Sequence, residues 1–367
     1  MSGARGFSLV ELLIAMTLGL LLTSGMVAVF AGNRQSTKLN SAVAEMQESA
    51  RYALETLADD VRNAGYQGCL GVQSGGTAIR ASSPPTTDYL ASAATGSLVG
   101  EFDVWAPPPP LGLNPADHDA VPGTHTLSLM FGDADERRLV GQMKSGAAPS
   151  PAGEIELTEA FDDVEEGALA IISNCERADL FRITGLKSGG RKLEHNASGN
   201  DGSGNLGTAY GDARTLGQTA VMLFRANVYY VADTGRRNAD GDSILALFRQ
   251  SYPYDDQDDN PPTELVSGVE SMRVAFGIRR PGGKLRYVPP ESGEYVPELV
   301  ESVRIGLLMR SRDAIAARDD DAVYVLAGQA LPPAGTASPP VGAVHAGDRR
   351  HRLAFNTTVK IRNRRPE

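Results

Sequence analysis

The chain has 367 residues, 41% hydrophobic and 22% charged, with 35 Lys and Arg against 45 Asp and Glu for a formal net charge of −10. That acidic balance argues against a nucleic-acid binder, whose surface has to be basic to meet phosphate. Two cysteines are too few for a disulfide scaffold or a tetra-cysteine zinc site, and the length allows a core that needs neither.

The apolar residues are unevenly spread. Leu12 to Ala31 is twenty residues without a charge, with Arg5 before it and Arg34 after it. At about 1.5 Å per residue, a helix of that length spans about 30 Å, the hydrocarbon thickness of a bilayer. Glu11 stands at the lip of the run, where a carboxylate costs about 2–3 kcal/mol on insertion scales and so marks a function. Three readings compete for the segment. It is a secretory signal peptide, with Val29-Phe30-Ala31 as a small-residue cleavage site, a plain membrane anchor, or a specialised assembly signal. The residues Gly6, Phe7, Ser8, Leu9, Val10 and Glu11, followed by Leu12-Leu13-Ile14-Ala15-Met16, favour the third. They resemble the class III signal of type IV pilins and pseudopilins. In those proteins a short basic leader ends in Gly, followed by an aromatic or Met residue, a Ser/Thr-Leu-x-Glu run and a long apolar helix.

The resemblance implies cleavage by a prepilin peptidase between Gly6 and Phe7, and N-methylation of the new Phe7 amine. It also gives Glu11 a role in assembly. In a filament of packed apolar helices an unpaired carboxylate and an unpaired amine are both costly. Glu11 is therefore expected to neutralise the Phe7 amine of its own or a neighbouring subunit and to set the axial register; the alternative is an interfacial acid that reaches water. Major pilins often carry a kinking proline near the position of Ala28. Here no proline precedes Pro84, which leaves Gly19, Gly25 and Gly32 as bending points.

Beyond Gly32 the composition turns polar while the helical period persists. Leu39, Val43, Met46, Ala50, Ala53, Leu57 and Val61 recur at spacings of three and four, and predict one amphipathic stripe that continues the apolar helix and packs on a sheet. Gly65 and Gly68 supply the stop. The stretch Met46 to Cys69, with Ala50-Arg51-Tyr52-Ala53-Leu54 near its start and Arg62-Asn63-Ala64-Gly65-Tyr66-Gln67-Gly68-Cys69 at its end, is similar to the PilW type of minor pilin. The likeness returns in Val269–Val274, in Val303–Leu308 and in the closing Thr357–Arg364. J-type pseudopilins of type II secretion share the plan but are usually shorter.

After Cys69 the pattern is β-like. Thr124–Phe131, Ala168–Ser173, Leu180–Thr184, Val221–Val231, Ile244–Arg249 and Val269–Ile278 read as strands. Arg352–Arg362 alternates cleanly, Leu353, Phe355, Thr357, Val359 and Ile361 on one face and Arg352, Asn356, Thr358, Lys360 and Arg362 on the other, as in a half-buried antiparallel strand. Gly-, Ser-, Ala- and Pro-rich tracts near 71–99, 143–153, 185–217 and 328–348 read as long connections. The expected fold is α+β, a long N-terminal helix packed on a large antiparallel β head with long loops. The expected divisions are a leader over 1–6, a membrane and filament-core helix over 7–32, an amphipathic helix over 33–66 and a periplasmic head over 67–367.

Because the signal sends the head to an oxidising compartment, Cys69 and Cys175 are expected to be bridged, two separate buried thiols being the alternative. No metalloprotease, nucleophile-elbow, Cys-x-x-Cys or phosphate-loop pattern occurs, so no enzyme and no cofactor are expected. The five histidines are scattered, and His125, inside a strand pattern, reads as a core or surface residue rather than a base. Asp255, Asp256, Asp258 and Asp259 crowd one loop with the ligand type calcium takes, but without the EF-hand spacing; a solvated loop is the plainer reading. Pro107–Pro110 after Trp105 reads as a stiff exposed connection.

Residues 341–367 carry seven basic and two acidic side chains. Such a strip on an acidic head suits contact with neighbouring subunits. DNA contact through Arg349, Arg350, Arg352, Arg362, Arg364 and Arg365 is the weaker use, given the acidic head. The resemblance as a whole implies a minor pilin held in the inner membrane and then incorporated into the fibre, at its tip. There it would prime assembly and serve adhesion and twitching motility. Its expected partners are other minor pilins, the major pilin, the prepilin peptidase, the inner-membrane assembly platform and a large tip adhesin. A J-type pseudopilin is the alternative, and an anchored periplasmic enzyme a more distant one.

Overall fold

The computed structural model describes residues 9–70, 77–84, 94–98, 120–162, 164–252, 261–280, 282–336 and 344–363. One helix, α1, runs without a break from Leu9 to Asn63. At about 1.5 Å per residue it is about 80 Å long. Its basic last turn holds Arg62, and it stops where Gly65 takes φ +73°, a conformation open to glycine at no steric cost.

The head is built from strands β1 (Ala94–Leu98), β2 (His125–Gly132), β3 (Leu169–Ser173), β4 (Ala178–Arg182), β5 (Ala220–Arg237), β6 (Ser243–Ser251), β7 (Thr263–Ser267), β8 (Val269–Arg279), β9 (Leu285–Val288), β10 (Val300–Arg310) and β11 (Arg352–Lys360). Two sheets hold most of them. The eighteen-residue β5 is the spine of the larger one. Its first residues pair with β3, its middle with β2 and its far half with β6, all antiparallel. β4 extends the sheet beyond β3, β7 beyond β6 and β1 beyond β2. The smaller sheet has the order β9-β8-β10-β11, antiparallel throughout.

The second half of α1 lies in the angle between the sheets. Met46, Ala50, Ala53, Leu57 and Val61 are buried there, against Leu127, Leu129 and Tyr229 of the larger sheet and Met272, Val274, Val303, Ile305 and Leu307 of the smaller. From Val43 on, the expected stripe is the face that packs, with Val43 half-buried at its upper end; Leu39, the first residue expected in it, is exposed instead, because the helix has not yet reached the sheets there. Small residues at 50 and 53 let the helix approach the strands closely.

β11 alternates as expected. Leu353, Phe355 and Thr357 are half-buried and Val359 and Ile361 buried, while Asn356, Thr358, Lys360 and Arg362 are exposed. Arg352 departs from this. Placed on the outer face by its parity, it is buried instead, its side chain 0% exposed, because a β-bulge in β8 turns Glu270 toward it. Val269 pairs with Met309 but Ser271 with Leu308, so Glu270 is the extra residue.

Several strands lie outside the pattern read from sequence: β1 falls within the tract 71–99 expected as a connection, a short hairpin of Lys144–Ser145 with Ala148–Pro149 falls within 143–153, and β7 and β9 fall where no strand is expected. Val300–Arg310 is the central strand β10, and the tracts 185–217 and 328–348 contain short hairpin strands at Gly185–Lys187, Lys192–Glu194 and Gln329–Leu331. In these pieces two or three residues pair within otherwise polar, Gly-rich sequence, too few to establish a period.

Candidate functional site

The two halves of α1 differ in what covers them. From Leu9 to Phe30 the large apolar side chains stand open, Leu9 75%, Leu22 76% and Phe30 62% exposed. It is the one helix among the described residues long and apolar enough to cross a membrane. Its few polar groups are handled within the helix. Thr17 Oγ1 donates to Ile14 O at 2.9 Å and Thr23 Oγ1 to Gly19 O at 2.6 Å, so neither hydroxyl needs water. No atom lies within 4 Å of where a Cβ would sit on Gly19, Gly25 or Gly32, so these turns are clear for a neighbouring helix to approach. Glu11 sits in the first turn of α1. Near the N-terminal end of a helix a carboxylate is favoured by the dipole. Gly6 and Phe7 lie outside the described residues.

The other half is bolted to the head. Asp60 accepts from Asn227 Nδ2 at 2.6 Å and from Tyr229 Oη at 2.5 Å, tying the helix to β5. Burial raises the Asp60 carboxyl above the usual range, against the opposing pull of those two donors. Burial, with the Asp60 charge beside it, likewise pushes the Tyr229 phenol up. Past the helix end, Gly65 N donates to Met130 O at 2.7 Å and Gly132 N to Tyr66 O at 2.8 Å, which pairs the exit segment with β2. Tyr66 Oη donates to Glu136, and its phenol is pushed up to about 12, first by burial and then by that carboxylate.

Three residues further on, Cys69 is joined to Cys175 in the turn after β3, with Cα atoms 4.7 Å apart at a sequence separation of 106. The far end of the chain closes on the same place. Arg362 N donates to Arg62 O at 3.1 Å and Asn363 Nδ2 to Asn63 O at 3.3 Å.

Two cations of the basic strip at 341–367, Arg350 and Arg352, are used up inside the head, while Lys360 and Arg362 stay exposed. Arg352 Nε donates to Glu270 at 2.6 Å, and its Nη2 to Asp348 at 2.6 Å and Glu270 at 3.3 Å. Its Nη1 reaches Asp320 at 3.3 Å. Arg350, 7% exposed, pairs with Asp242 at 2.7 Å and with Asp348. Burial works against the Asp348 carboxylate, but the Arg352 hydrogen bond and charge hold it below the usual range. Asp320 is depressed against burial in the same way, by the Ala322 N–H, the Tyr324 hydroxyl and nearby positive charge. Arg364 and Arg365 lie outside the described residues.

The groups considered for chemistry have structural surroundings. His125 is buried in β2, where its Nδ1 meets Val274 N at 3.0 Å and its Nε2 meets Arg273 Nη1 at 2.8 Å, and burial lowers its pKa. His195 sits between the carbonyls of Gly204 and Gly153, at 2.8 and 2.9 Å. Among the described residues no group of three His, Cys, Asp or Glu side chains is placed to hold a metal. Asp255, Asp256, Asp258 and Asp259, with Trp105, Pro107–Pro110 and His118, lie outside the described residues. The Asp60, Asn227 and Tyr229 mount and the Glu270 and Arg352 pair had no readable signal, since each joins residues far apart in the chain.

An open apolar helix continuing into a buried one on a β head is the plan of a pilin subunit. Residues 1–27 match the prokaryotic N-terminal methylation motif. Residues 228–363 match the family Type IV Pilus-assembly protein W, a stretch that runs from the middle of β5 past the end of β11 and takes in the smaller sheet that packs on α1, but not β2. The chain is a type IV pilin-like protein of the PilW type, with a prepilin motif at its start and a PilW domain in its second half. No curated protein sequence matches it. Among solved structures, a type IV-like pilin from Thermus thermophilus aligns at 19% identity over 38% of this chain and 66% of its own, with a TM-score of 0.21.

Proposed function

We propose that the chain is a minor pilin that primes assembly of a type IV pilus and takes its place in the tip complex, contributing to adhesion and twitching motility. In this reading prepilin peptidase removes residues 1–6, Phe7 becomes the methylated N-terminus, and residues 7–32 leave the inner membrane for the filament core. Residues 33–66 mount the head, and residues 67–367 form it in the periplasm. The observation that carries the reading is the bare apolar half of α1 with Glu11 at its head, behind a matched methylation motif. A surface of that size needs an apolar cover, and the two available are lipid and other helices of the same kind. Glu11 then neutralises a neighbouring Phe7 amine in a dry core, which fixes the axial register.

Glu11→Ala tests it. Cleavage at Gly6 is expected to continue while recovery in sheared surface fibres falls at least tenfold; unchanged incorporation refutes the pairing. Deletion of the gene decides between pilus and type II secretion. Loss of surface pili with normal protein export supports the minor pilin, and the reverse makes the chain a J-type pseudopilin. Pull-down of the processed chain is expected to bring other minor pilins, the major pilin and a large adhesin with it.

A further inference from the structure

Where α1 leaves its apolar stretch, the head returns to meet it. The loop after β10 carries Ala314, Ile315 and Ala316 to the helix, where Gln35 Nε2 donates to Ile315 O at 3.5 Å. Arg349, just before β11, holds the loop. Ala316 N donates to Arg349 O at 2.8 Å, and Arg349 Nε donates to Ala316 O at 3.1 Å. Between loop and helix lies an open crevice of about 620 Å³, with Phe30 and Ile315 on its apolar side and Arg34, Lys38 and Arg349 as its cations. Arg34 stands over the Phe30 ring, 5.6 Å from the centroid. Among the described residues none of the three cations forms an ion pair. No acidic side chain among the described residues lines the crevice itself, although the rest of the loop carries Arg312 and Arg318 against Asp313, Asp319, Asp320 and Asp321, of which Asp320 is engaged by Arg352.

The depth of the crevice is set by the helix. If Leu12–Ala31 fills the hydrocarbon, Arg34 and Lys38 lie about 5 and 10 Å beyond it along the axis. The headgroup layer of one leaflet is about 5–8 Å thick, so Arg34 falls at phosphate level and Lys38 just above it. Phe30 lies at the level of the glycerol and upper acyl chain, and Ile315, whose carbonyl Gln35 holds about 7 Å further along the axis, lines the crevice just above it.

We propose that this crevice binds the headgroup of an anionic phospholipid in the leaflet on the head's side of the membrane, with Arg34, Lys38 and Arg349 around the phosphate. The inference rests on the membrane-spanning reading of α1 and is independent of what the chain later assembles with. Each basic side chain held near an anionic surface strengthens association about fivefold.

The test uses the full chain in vesicles, carrying Ile315→Trp in a Trp105→Phe background, with lipids brominated in the upper acyl chain as quenchers. Half-quenching is expected at a fivefold or more lower mole fraction of brominated phosphatidylglycerol than of brominated phosphatidylcholine. Lys38→Gln, which touches no bond that holds the loop, is expected to reduce that preference severalfold. Arg34→Gln/Lys38→Gln/Arg349→Gln is expected to abolish it, and 0.5 M NaCl to weaken it. Equal quenching by the two lipids with the three cations intact, or a preference that survives the triple change, overturns the proposal, as does an indole that neither lipid quenches. Flotation with pure phosphatidylcholine vesicles separates the failures, because a chain that does not float refutes the membrane-spanning reading itself.

Discussion

Replacing Arg352 by Met is expected to be among the most damaging single changes in the head. The side chain is fully buried, and four of its hydrogen bonds go to three carboxylates, Glu270 at 7% exposed, Asp320 at 14% and Asp348 at 33%. Removing the cation leaves Glu270 without its hydrogen-bonded charge partner in a nearly dry place, keeping the Ala346 N–H at 2.8 Å and the more distant charge of Arg310. A buried pair broken from one side costs about 3–5 kcal/mol, mostly the desolvation of the charge left behind. With a urea slope of about 3 kcal/mol/M, a 4 kcal/mol loss lowers the unfolding midpoint by about 1.3 M. The assay is urea unfolding of the full chain in detergent, followed by near-ultraviolet circular dichroism.

Two further outcomes separate burial from simple lost packing. Arg352→Met/Glu270→Met is expected to recover most of the loss, since both charges are then gone and the volume is kept. The single variant's deficit is expected to shrink as pH falls from 7 toward 5, because a carboxylate cluster without its cation binds protons more readily. In the unsubstituted protein Asp348 and Asp320 have depressed folded values, so their stabilisation is present above the unfolded value of 3.8 and is lost as pH falls below it. A deficit under 1 kcal/mol, or a double variant no better than the single, refutes the account.

Other outcomes follow from the helix mount and the head. Reduction of Cys69–Cys175, or its replacement by two alanines, is expected to lose about 4–5 kcal/mol in the chain-entropy view, read as a lower melting temperature that reductant does not shift further in the alanine variant. Asp60→Ala is expected to cost about 1–3 kcal/mol by leaving the Tyr229 and Asn227 donors without their acceptor, with faster amide exchange across the second half of α1. Asp60→Asn behaves differently. The raised folded value means Asp60 stabilises below 3.8 and loses that contribution as pH rises through its folded value, so the asparagine variant is expected to gain on the unsubstituted protein between pH 4 and 7. Gly306→Ala is expected to cost about 1–3 kcal/mol, because the new Cβ would lie 2.6 Å from Ala327 N and 2.7 Å from Leu326 Cα, backbone that has no rotamer by which to yield.

Local periodicity made the helix and the closing strand legible. The stripe from Val43 to Val61 and the alternation from Leu353 to Ile361 are each decided by neighbours three, four or two residues away, which is the range over which a pattern can be read. What sets Arg352 apart is an extra residue in a strand 82 positions earlier, and no feature of Arg352's own neighbourhood announces it. The same holds for Asp60, whose partners sit in β5. β10 is hard to read in the sequence although Val303, Ile305, Leu307 and Met309 alternate, because Arg304 and Gly306 fall between them on a face that is covered rather than open to water. Gly306 is there for the hairpin at Tyr324–Leu331 that rests on it. Arg304 stacks on the Tyr287 ring at 3.9 Å from its centroid.

The exit of α1 also decides how the molecule bears load. A pull on the first turns of a continuous helix travels along its axis and leaves at Asn63. Within six residues it meets two backbone hydrogen bonds to β2 and then a covalent cross-link. Strain is therefore delivered in shear to the centre of the larger sheet, and the stretch between the cysteines, 106 positions apart, is bypassed. Tension that peels the exit segment from β2 is arrested at Cys69, so the head resists as one body rather than unravelling from its attachment.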